Sequence, residues 1–228
     1  MKLLAFDCSL RRFSALLATG REEPPERVAR GPGAWRGEEI VALLDALCRR
    51  HGLDWRDLDA LAVTVGPGSF TGIRTAVAVA RALSLAADLP VHPIGTLEAL
   101  AQAGRERALD RPLAAVIPGK RGTVYAQSFA ADGGVRTEPA SLPAAELAAR
   151  LPAQAVVVAP DAEAVAALLG PRHAVHTALP DAEAVAALAR RRTAAGQPAV
   201  AGHLLEPLYL RAADADPAAG RPLLAPAE

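Results

Sequence analysis

Apolar runs and helical periods alternate along the first half of the chain. Short apolar runs bounded by turn residues predict strands, whereas apolar residues that repeat every three to four positions predict helices. Interpreted in this way, the first half has the order β-β-β-α-β-α-β-α. The predicted strands lie at 2–7, 13–18, 26–30, 58–65 and 91–94, and the predicted helices at 38–51, at 71–87 and from Thr96, the expected cap of the third helix.

The same order begins again after the third helix. The runs LAAVI and TVYAQSF predict the first two strands, and a third, short strand follows. A helix is predicted over 143–151, and two further strand–helix pairs complete the copy. The sequence PDAEAVAAL occurs at 160–168 and again at 180–188, where Asp161 and Asp181 are the predicted N-caps of two similar helices.

Two copies of this order predict an α/β protein of two lobes, each a mixed sheet covered by helices. We assign 1–108 to the N-terminal lobe and 109–211 to the C-terminal lobe. The segment 212–228 is rich in Ala and Pro without periodicity and is expected to be a loose tail. The element order is that of the superfamily of actin, Hsp70 and the sugar kinases.

Composition narrows the functional classes. The chain has 228 residues, of which 51% are hydrophobic, and 25 basic residues balance 25 acidic ones. No basic run supplies the electrostatic footprint of a protein that holds nucleic acid by itself. Without a signal peptide or a charge-free apolar run of membrane length, we expect a cytoplasmic protein without a membrane contact. Cys8 and Cys48 form no CxxC motif and are expected to be small buried hydrophobic residues.

Four stretches together resemble the TsaB (YeaZ) family of bacterial proteins that take part in threonylcarbamoyladenosine (t6A) modification of tRNA. They are LLAFDCSLRRFSALLA, DALAVTVGPGSFTGIRTAVAVARALSLAADLPVHPIGTLEALA, RGTVYAQSF and EPLYLR. The resemblance implies two tandem actin-like (ribonuclease H-like) lobes without a complete catalytic site. It also implies binding to the related subunit TsaD, which with TsaE transfers threonylcarbamoyl to adenosine 37 of ANN-decoding tRNAs, so that tRNA is met only through the complex.

The stretch VGPGSFTGIR joins a predicted strand to a predicted helix. Its glycine spacing departs from G-x-G-x-x-G, and it lacks the Lys-Ser/Thr pair of a phosphate-binding P-loop. Pro67 also removes one backbone donor. Two interpretations stay open, an anion site at the helix N-terminus and a tight turn without a ligand, and we favour the turn. The candidate residues are Gly66, Gly68, Ser69, Thr71 and Gly72, with Ser69 or Thr71 as the cap.

Asp7 and Ser9 follow the first strand, where nucleotide-splitting members of the superfamily place a carboxylate beside magnesium and phosphate. In the second lobe, Pro118 stands where the resembled family often carries Asp. Proline supplies neither a carboxylate nor an N–H group. We therefore interpret Asp7 and Ser9 as a vestigial phosphate site and expect no cofactor in the chain alone, while a nucleotide at the boundary with TsaD stays open.

No metal site is expected either. TsaD-type relatives hold a metal with two histidines on one turn of a first-lobe helix, whereas residues 36–41 of this chain contain no histidine. His173 and His176 form an HxxH motif on a predicted strand. Side chains three apart on a strand point to opposite faces, so these two cannot meet at one ion.

The two helices of the first lobe are the candidate partner-binding surface. Helix 71–87 is apolar around most of its circumference, and one sheet covers only one side of a helix. The other sides must therefore be covered by further elements of the chain or by a partner. The resemblance implies a helical bundle with the matching helix pair of TsaD, for which the pair offers roughly 800 Å². The candidate residues are Ile40, Leu43, Leu44, Leu47, Arg74, Thr75, Ala78, Val79 and Ala82.

Three functional classes follow. The leading hypothesis is a non-catalytic subunit that binds TsaD. The alternatives are an actin-like ATPase, kinase or peptidase that acts on its own, and an interaction protein that forms a homodimer through the same helices. Tyr125 and the segment 206–211 match the resembled family, and the segment is interpreted as a strand or docking segment.

Overall fold

The computed structural model describes residues 1–20, 24–108, 110–152 and 154–210. The expected loose tail at 212–228 therefore lies outside the described residues. Within them the chain forms two compact units. Unit 1 comprises Met1–Ala99 and Asp181–Leu208, and unit 2 comprises Leu100–Pro180 together with Tyr209 and Leu210.

Unit 1 is built on a mixed sheet of five strands in the order β3-β2-β1-β4-β5. β1 is antiparallel to β2 and parallel to β4, with Asp7 opposite Ser14 and Leu3 opposite Ala60. Its elements are β1 (Leu3–Asp7), β2 (Phe13–Ala18), β3 (Glu26–Arg30), α1 (Ile40–Arg50), β4 (Ala60–Gly66), α2 (Phe70–Ala87), β5 (Val91–Gly95) and α3 (Thr96–Ala103), the last of which continues into unit 2.

Alternate residues of β1 and β4 face α1 and α2. Leu4, Phe6, Leu61 and Val63 pack there with the apolar sides of both helices and are fully buried. Because both faces of a strand buried in this way must be apolar, β1 and β4 consist almost entirely of apolar residues. The sheet thereby fixes the direction of α2, which starts directly after the turn that follows β4.

Unit 2 repeats the same architecture. Its sheet has the order β8-β7-β6-β9-β10, in which β6 is antiparallel to β7 and parallel to β9. The described elements are β6 (Leu113–Pro118), β7 (Thr123–Phe129), β8 (Ala140–Pro143), α4 (Ala144–Arg150), β9 (Val156–Ala159), α5 (Ala162–Leu169) and β10 (Val175–Thr177), and α6 (Ala182–Ala194) follows in unit 1. The two sheets confirm the predicted fold class, an α/β protein of two lobes.

The helix ends are set by the predicted capping residues. Asp161 accepts a hydrogen bond from the N–H of Ala164 at 2.9 Å, and Asp181 accepts one from Ala184 at 2.8 Å. The prediction for Thr96 is wrong. Thr96 is the first residue of α3 and its buried hydroxyl has no hydrogen-bond partner among the described residues, while the N–H of Gly95 donates to Glu98 instead.

α6 lies in unit 1, which differs from the assignment of 109–211 to one C-terminal lobe. This helix packs against β1, β2, β4 and β5. The N–H of Ala182 donates to Ser14 Oγ at 2.9 Å, and the Arg192 guanidinium donates to both carboxylate oxygens of Glu98 at 2.7 and 2.9 Å. The first sheet thus carries α1 and α2 on one face and needs a cover for the other, which α6 supplies.

The segment after α6 also runs along unit 1. Val200 forms a bridge with Val91 on β5, and the N–H of Leu208 donates to the carbonyl oxygen of Val65 at 2.7 Å. Arg81 on α2 donates to the carbonyl oxygen of His203 at 2.8 Å. The start of the segment 206–211 is therefore docked on the end of β4.

Among the described residues, α2 alone has the length and hydropathy of a membrane span. Arg74 and Arg81 interrupt its apolar surface, and Ile73, Ala76 and Ala80 are buried in the core of unit 1. The central helix of a globular unit has the same length and composition.

Candidate functional site: the glycine turn and the exposed face of α2

The glycine turn between β4 and α2 is closed by the chain's own backbone. Gly66 has a φ of +122°, and the Gly66–Pro67 peptide bond is cis. A Cβ atom on Gly66 would lie 2.6 Å from the carbonyl oxygen of Leu208. A Cβ on Gly68 would lie 2.3 Å from the carbonyl oxygen of Ser9, and one on Gly72 would lie 2.1 Å from that of Cys8. Glycine is therefore required here because other backbone segments approach closely.

The donors at the start of α2 already have partners. Ser69 donates its N–H to the carbonyl oxygen of Ser9 at 2.6 Å, and its hydroxyl accepts from the N–H of Gly72 at 3.3 Å. Ser69 is thus the N-cap, whereas Thr71 is an exposed residue in the first turn of the helix. Two of the N–H groups that an anion would need are consequently engaged within the protein.

Asp7 is buried beside the turn, with only 1% of its surface exposed. Its Oδ1 accepts from the N–H of Ser9 at 3.0 Å and from the hydroxyl of Thr64 at 2.6 Å. Burial raises the pKa of the Asp7 carboxyl, and the hydrogen bonds from Ser9 and Thr64 offset part of that rise. The carboxylate of Asp181 at the start of α6 raises the pKa a little further.

In unit 2, the hairpin of β6 and β7 corresponds to that of β1 and β2. The last residue of β6 is Pro118, which lies opposite Val124 on β7. Of the two histidines in the HxxH motif, His176 lies half-buried on β10, and His173 precedes that strand and is buried. Within the described ranges, no group of three or more His, Cys, Asp or Glu side chains is placed to hold a metal ion.

Both cysteines are buried, as expected. Burial raises the pKa of the Cys48 thiol to about 12, with smaller contributions from the carboxylates of Asp45 and Asp54. Burial likewise raises the pKa of Cys8, and the neighbouring Asp7 adds to the effect. Neither thiol therefore has the low pKa of a reactive cysteine.

One side of α2 is exposed, and we call it the α2 face: Arg74, Ala78, Arg81, Ala82 and Leu85, with Thr75 and Val79 half-buried at its edge. Leu85, in the last turn of α2, is 88% exposed. The guanidinium of Arg74 lies 4.6 Å above the ring centre of Phe70, itself 59% exposed. The α2 face is therefore mainly apolar, with one cation at its N-terminal end and a second at Arg81.

The contribution of α1 differs from the expectation. Ile40, Leu44 and Leu47 each have 0% exposure and pack in the core of unit 1, so they cannot contact another protein in this fold. Leu43 is half-buried against the same core. Only Val41, at 44% exposure, is a large apolar side chain on the outside of α1.

Leu85 was missed by the sequence reasoning. It lies seven residues after Ala78, two turns further along the same side of a helix, and that spacing was the available signal. Leu85 is one of many apolar residues on α2, and their periodicity alone does not distinguish the side buried in the core from the exposed side.

A groove of about 780 Å³ adjoins the turn within unit 1. Trp35 and Leu10 form apolar parts of its wall, and Arg11 brings a positive charge. Thr71 and Thr75 line its border toward the α2 face. The glycine turn, the groove and the α2 face thus form one continuous surface region of unit 1.

Known proteins resemble the chain in sequence and in structure. The family model of TsaD, tRNA N6-adenosine threonylcarbamoyltransferase, matches residues 36–155. The TsaB protein of Haemophilus influenzae is 37% identical over 126 residues, which are 55% of this chain and 52% of that protein. The TsaB protein of Escherichia coli is 36% identical over 96 residues, 42% of this chain and 41% of that protein. The chain therefore matches about half, or less, of the length of these curated relatives.

The structure of YeaZ from Pseudomonas aeruginosa superposes with a TM-score of 0.78 at 25% identity. That superposition covers 91% of this chain and 100% of the other. The family model alone spans more than half of the chain. The chain therefore belongs to the TsaD family, and the TsaB (YeaZ) proteins are homologues of it.

Proposed function

We propose that the chain is a non-catalytic subunit in t6A biosynthesis that docks on a TsaD-type subunit. The curated relatives bear the name tRNA threonylcarbamoyladenosine biosynthesis protein TsaB, and the matching family model is that of the transferase itself. In this proposal a TsaE-type ATPase joins the pair, tRNA is contacted only through the assembly, and the assembly works in the cytoplasm.

The non-catalytic role is supported by the glycine turn. The carbonyl groups of Ser9 and Cys8 lie directly against Gly68 and Gly72, and the N–H groups of Ser69 and Gly72 already donate within the protein. The Asp7 carboxyl is engaged with Ser9 and Thr64. The turn therefore serves to direct α2, and the transfer chemistry belongs to the TsaD-type subunit.

The docking role rests on one observation, the exposed apolar α2 face. Ala78 and Ala82 are one helical turn apart, and their small side chains allow a second helix to approach closely. Burial of an exposed leucine side chain such as that of Leu85 contributes about 1.5–3 kcal/mol. A TsaD-type subunit suits this face because the TsaD family model matches residues 36–155, which include both α1 and α2, so the partner carries an equivalent helix pair.

The test is the affinity of the purified chain for the TsaD-type subunit of the same organism, measured by calorimetry. We expect Ala82→Asp to weaken binding at least tenfold, because it places a charge in the centre of the α2 face. Ala167→Asp is the matched control, since Ala167 is an exposed alanine on α5 of unit 2. Equal affinity for Ala82→Asp and the unaltered chain would contradict the docking surface.

Leu44→Asp is unsuitable for the same test. Leu44 has 0% exposure, so the substitution buries an unpaired charge in unit 1 and unfolds it irrespective of any partner. A second copy of the chain is the competing occupant of the α2 face. Light scattering on the isolated chain, with Ala82→Asp beside it, distinguishes a self-associating protein from a subunit that associates only with its partner.

For a nucleotide shared with the partner, we propose the groove beside the turn as the binding site, and not the turn itself. The groove contains the indole of Trp35 and the cation of Arg11, which suit a base and a phosphate respectively. Calorimetry with ADP, on the chain alone and on the complex, tests whether the nucleotide is shared, because a nucleotide that needs both proteins binds only in the second titration.

A further inference from the structure

Unit 2 contains a surface cavity of about 480 Å³ at the end of its sheet where β6 and β9 begin. Leu113 is the first residue of β6, Phe129 is the last of β7, and Ala155 directly precedes β9. Pro118 lies at the other end of β6. All described lining residues belong to unit 2, so the cavity is separate from the glycine turn and the α2 face.

The floor of the cavity is apolar and well packed. Leu113, Phe129, Leu151 and Ala155 line it, and each is at most 5% exposed. A volume of this size lies in the range of small-molecule sites, which are mostly apolar with a few polar groups. The floor is therefore suited to the hydrocarbon part of a small ligand.

The rim carries hydroxyl groups in a fixed geometry. Thr137 Oγ accepts from the N–H of Ser128 at 3.0 Å, so its own hydroxyl proton remains available as a donor. The N–H of Arg136 donates to the carbonyl oxygen of Ser128 at 2.9 Å, which ties the strand end to the segment after it. The Ser128 hydroxyl has no hydrogen bond with any residue that the structure describes.

The charged residues that line the cavity are both arginines. Arg150 forms an ion pair with Glu146 at 2.7 Å, whereas Arg136 has no ion pair with a described residue. No acidic side chain is among the described lining residues. An unpaired guanidinium at the border of an apolar cavity attracts an anion and can bind a carboxylate or phosphate with two hydrogen bonds.

We propose that this cavity binds a small organic anion with an apolar body. The body lies on the floor formed by Leu113, Phe129 and Leu151, and the anionic group meets the Arg136 guanidinium and the hydroxyls of Ser128 and Thr137. Arg136 determines the preference for charge, because the charge of Arg150 is balanced by its ion pair with Glu146 and the floor is apolar.

The test uses 1-naphthoate and its neutral analogue 1-naphthylmethanol, titrated into the isotopically labelled chain and followed by amide NMR. We expect 1-naphthoate to shift the amides of Ser128, Phe129, Arg136 and Thr137, and to bind at least tenfold more tightly than the alcohol. Arg136→Gln should weaken naphthoate binding at least fivefold and leave the binding of the alcohol unchanged. Arg74→Gln is the control, since Arg74 is an exposed arginine of unit 1.

Three outcomes would overturn the proposal. They are equal affinity for the acid and the alcohol, amide shifts outside the cavity, and an Arg136→Gln variant that binds naphthoate as the unaltered chain does. Arg136 is exposed, so its substitution leaves the fold intact, and an unchanged amide spectrum without ligand verifies this.

Discussion

At the scale of single residues, the environment of Asp7 favours a structural role for its carboxyl over a catalytic one. Its carboxyl is buried and accepts hydrogen bonds from Ser9 and Thr64, which connect β1 to the following loop and to β4. Burial raises its pKa, so the folded chain binds a proton at Asp7 more tightly than the unfolded chain does. The contribution of Asp7 to stability is therefore full below its ordinary pKa and is lost as the pH rises through the raised value.

The raised pKa of Asp7 leads to a prediction for the stability of Asp7→Asn. Asparagine keeps an acceptor oxygen for Ser9 and Thr64 without the charge that burial disfavours at neutral pH. We expect the variant to be more stable than the unaltered chain at neutral pH, with the difference shrinking as the pH falls through the raised pKa. Urea unfolding at a series of pH values measures it, and a variant that is less stable at neutral pH would contradict this account of Asp7.

At the scale of elements, the glycine turn works by close backbone contact. Its three glycines face the carbonyl oxygens of Leu208, Ser9 and Cys8, so the turn joins β4, α2 and the loop after β1 into one rigid corner. The N-cap Ser69 fixes the first turn of α2 in the same corner. The orientation of the α2 face therefore depends on this turn.

We predict that Gly72→Ala destabilises unit 1 by on the order of 3 kcal/mol, because its methyl group would lie 2.1 Å from the carbonyl oxygen of Cys8. Gly31→Ala is the matched control. A Cβ at Gly31 meets nothing within 4 Å, so this variant should stay within about 0.5 kcal/mol of the unaltered chain. Urea unfolding measures the stability of both variants. Equal stability would contradict the prediction, because it would mean that the turn accommodates a methyl group at position 72.

The ends of several helices could be predicted from the sequence because capping and helix-ending residues determine them. The caps at Asp161 and Asp181 and the end of α2 before Asp88, a residue in the left-handed conformation, are all visible in the residues themselves. Burial of Leu44 and exposure of Leu85 could not be predicted in this way. Both belong to apolar helix surfaces, and only the tertiary packing decides which surface meets the sheet.

At the scale of the whole molecule, the two units repeat one sheet topology and differ in what surrounds it. In unit 1, the sheet is closed by α6 on one side and by α1 and α2 on the other, and α2 keeps an open apolar face. The assignment of α6 to unit 1 could not be predicted from element order. It depends on contacts between residues far apart in sequence, such as Arg192 with Glu98 and Ala182 with Ser14.

In the proposed function, the chain supports threonylcarbamoyl transfer by docking and not by chemistry of its own. The most direct measurement is the rate of transfer to tRNA in an assembly reconstituted from this chain and the TsaD-type and TsaE-type proteins of its organism. Leu85→Asp should reduce the rate at least tenfold at limiting concentration and recover when the variant is in excess, whereas Asp7→Asn should retain the full rate. Loss of transfer with Asp7→Asn in a folded, TsaD-bound variant, or full transfer with Leu85→Asp at limiting concentration, would contradict the account.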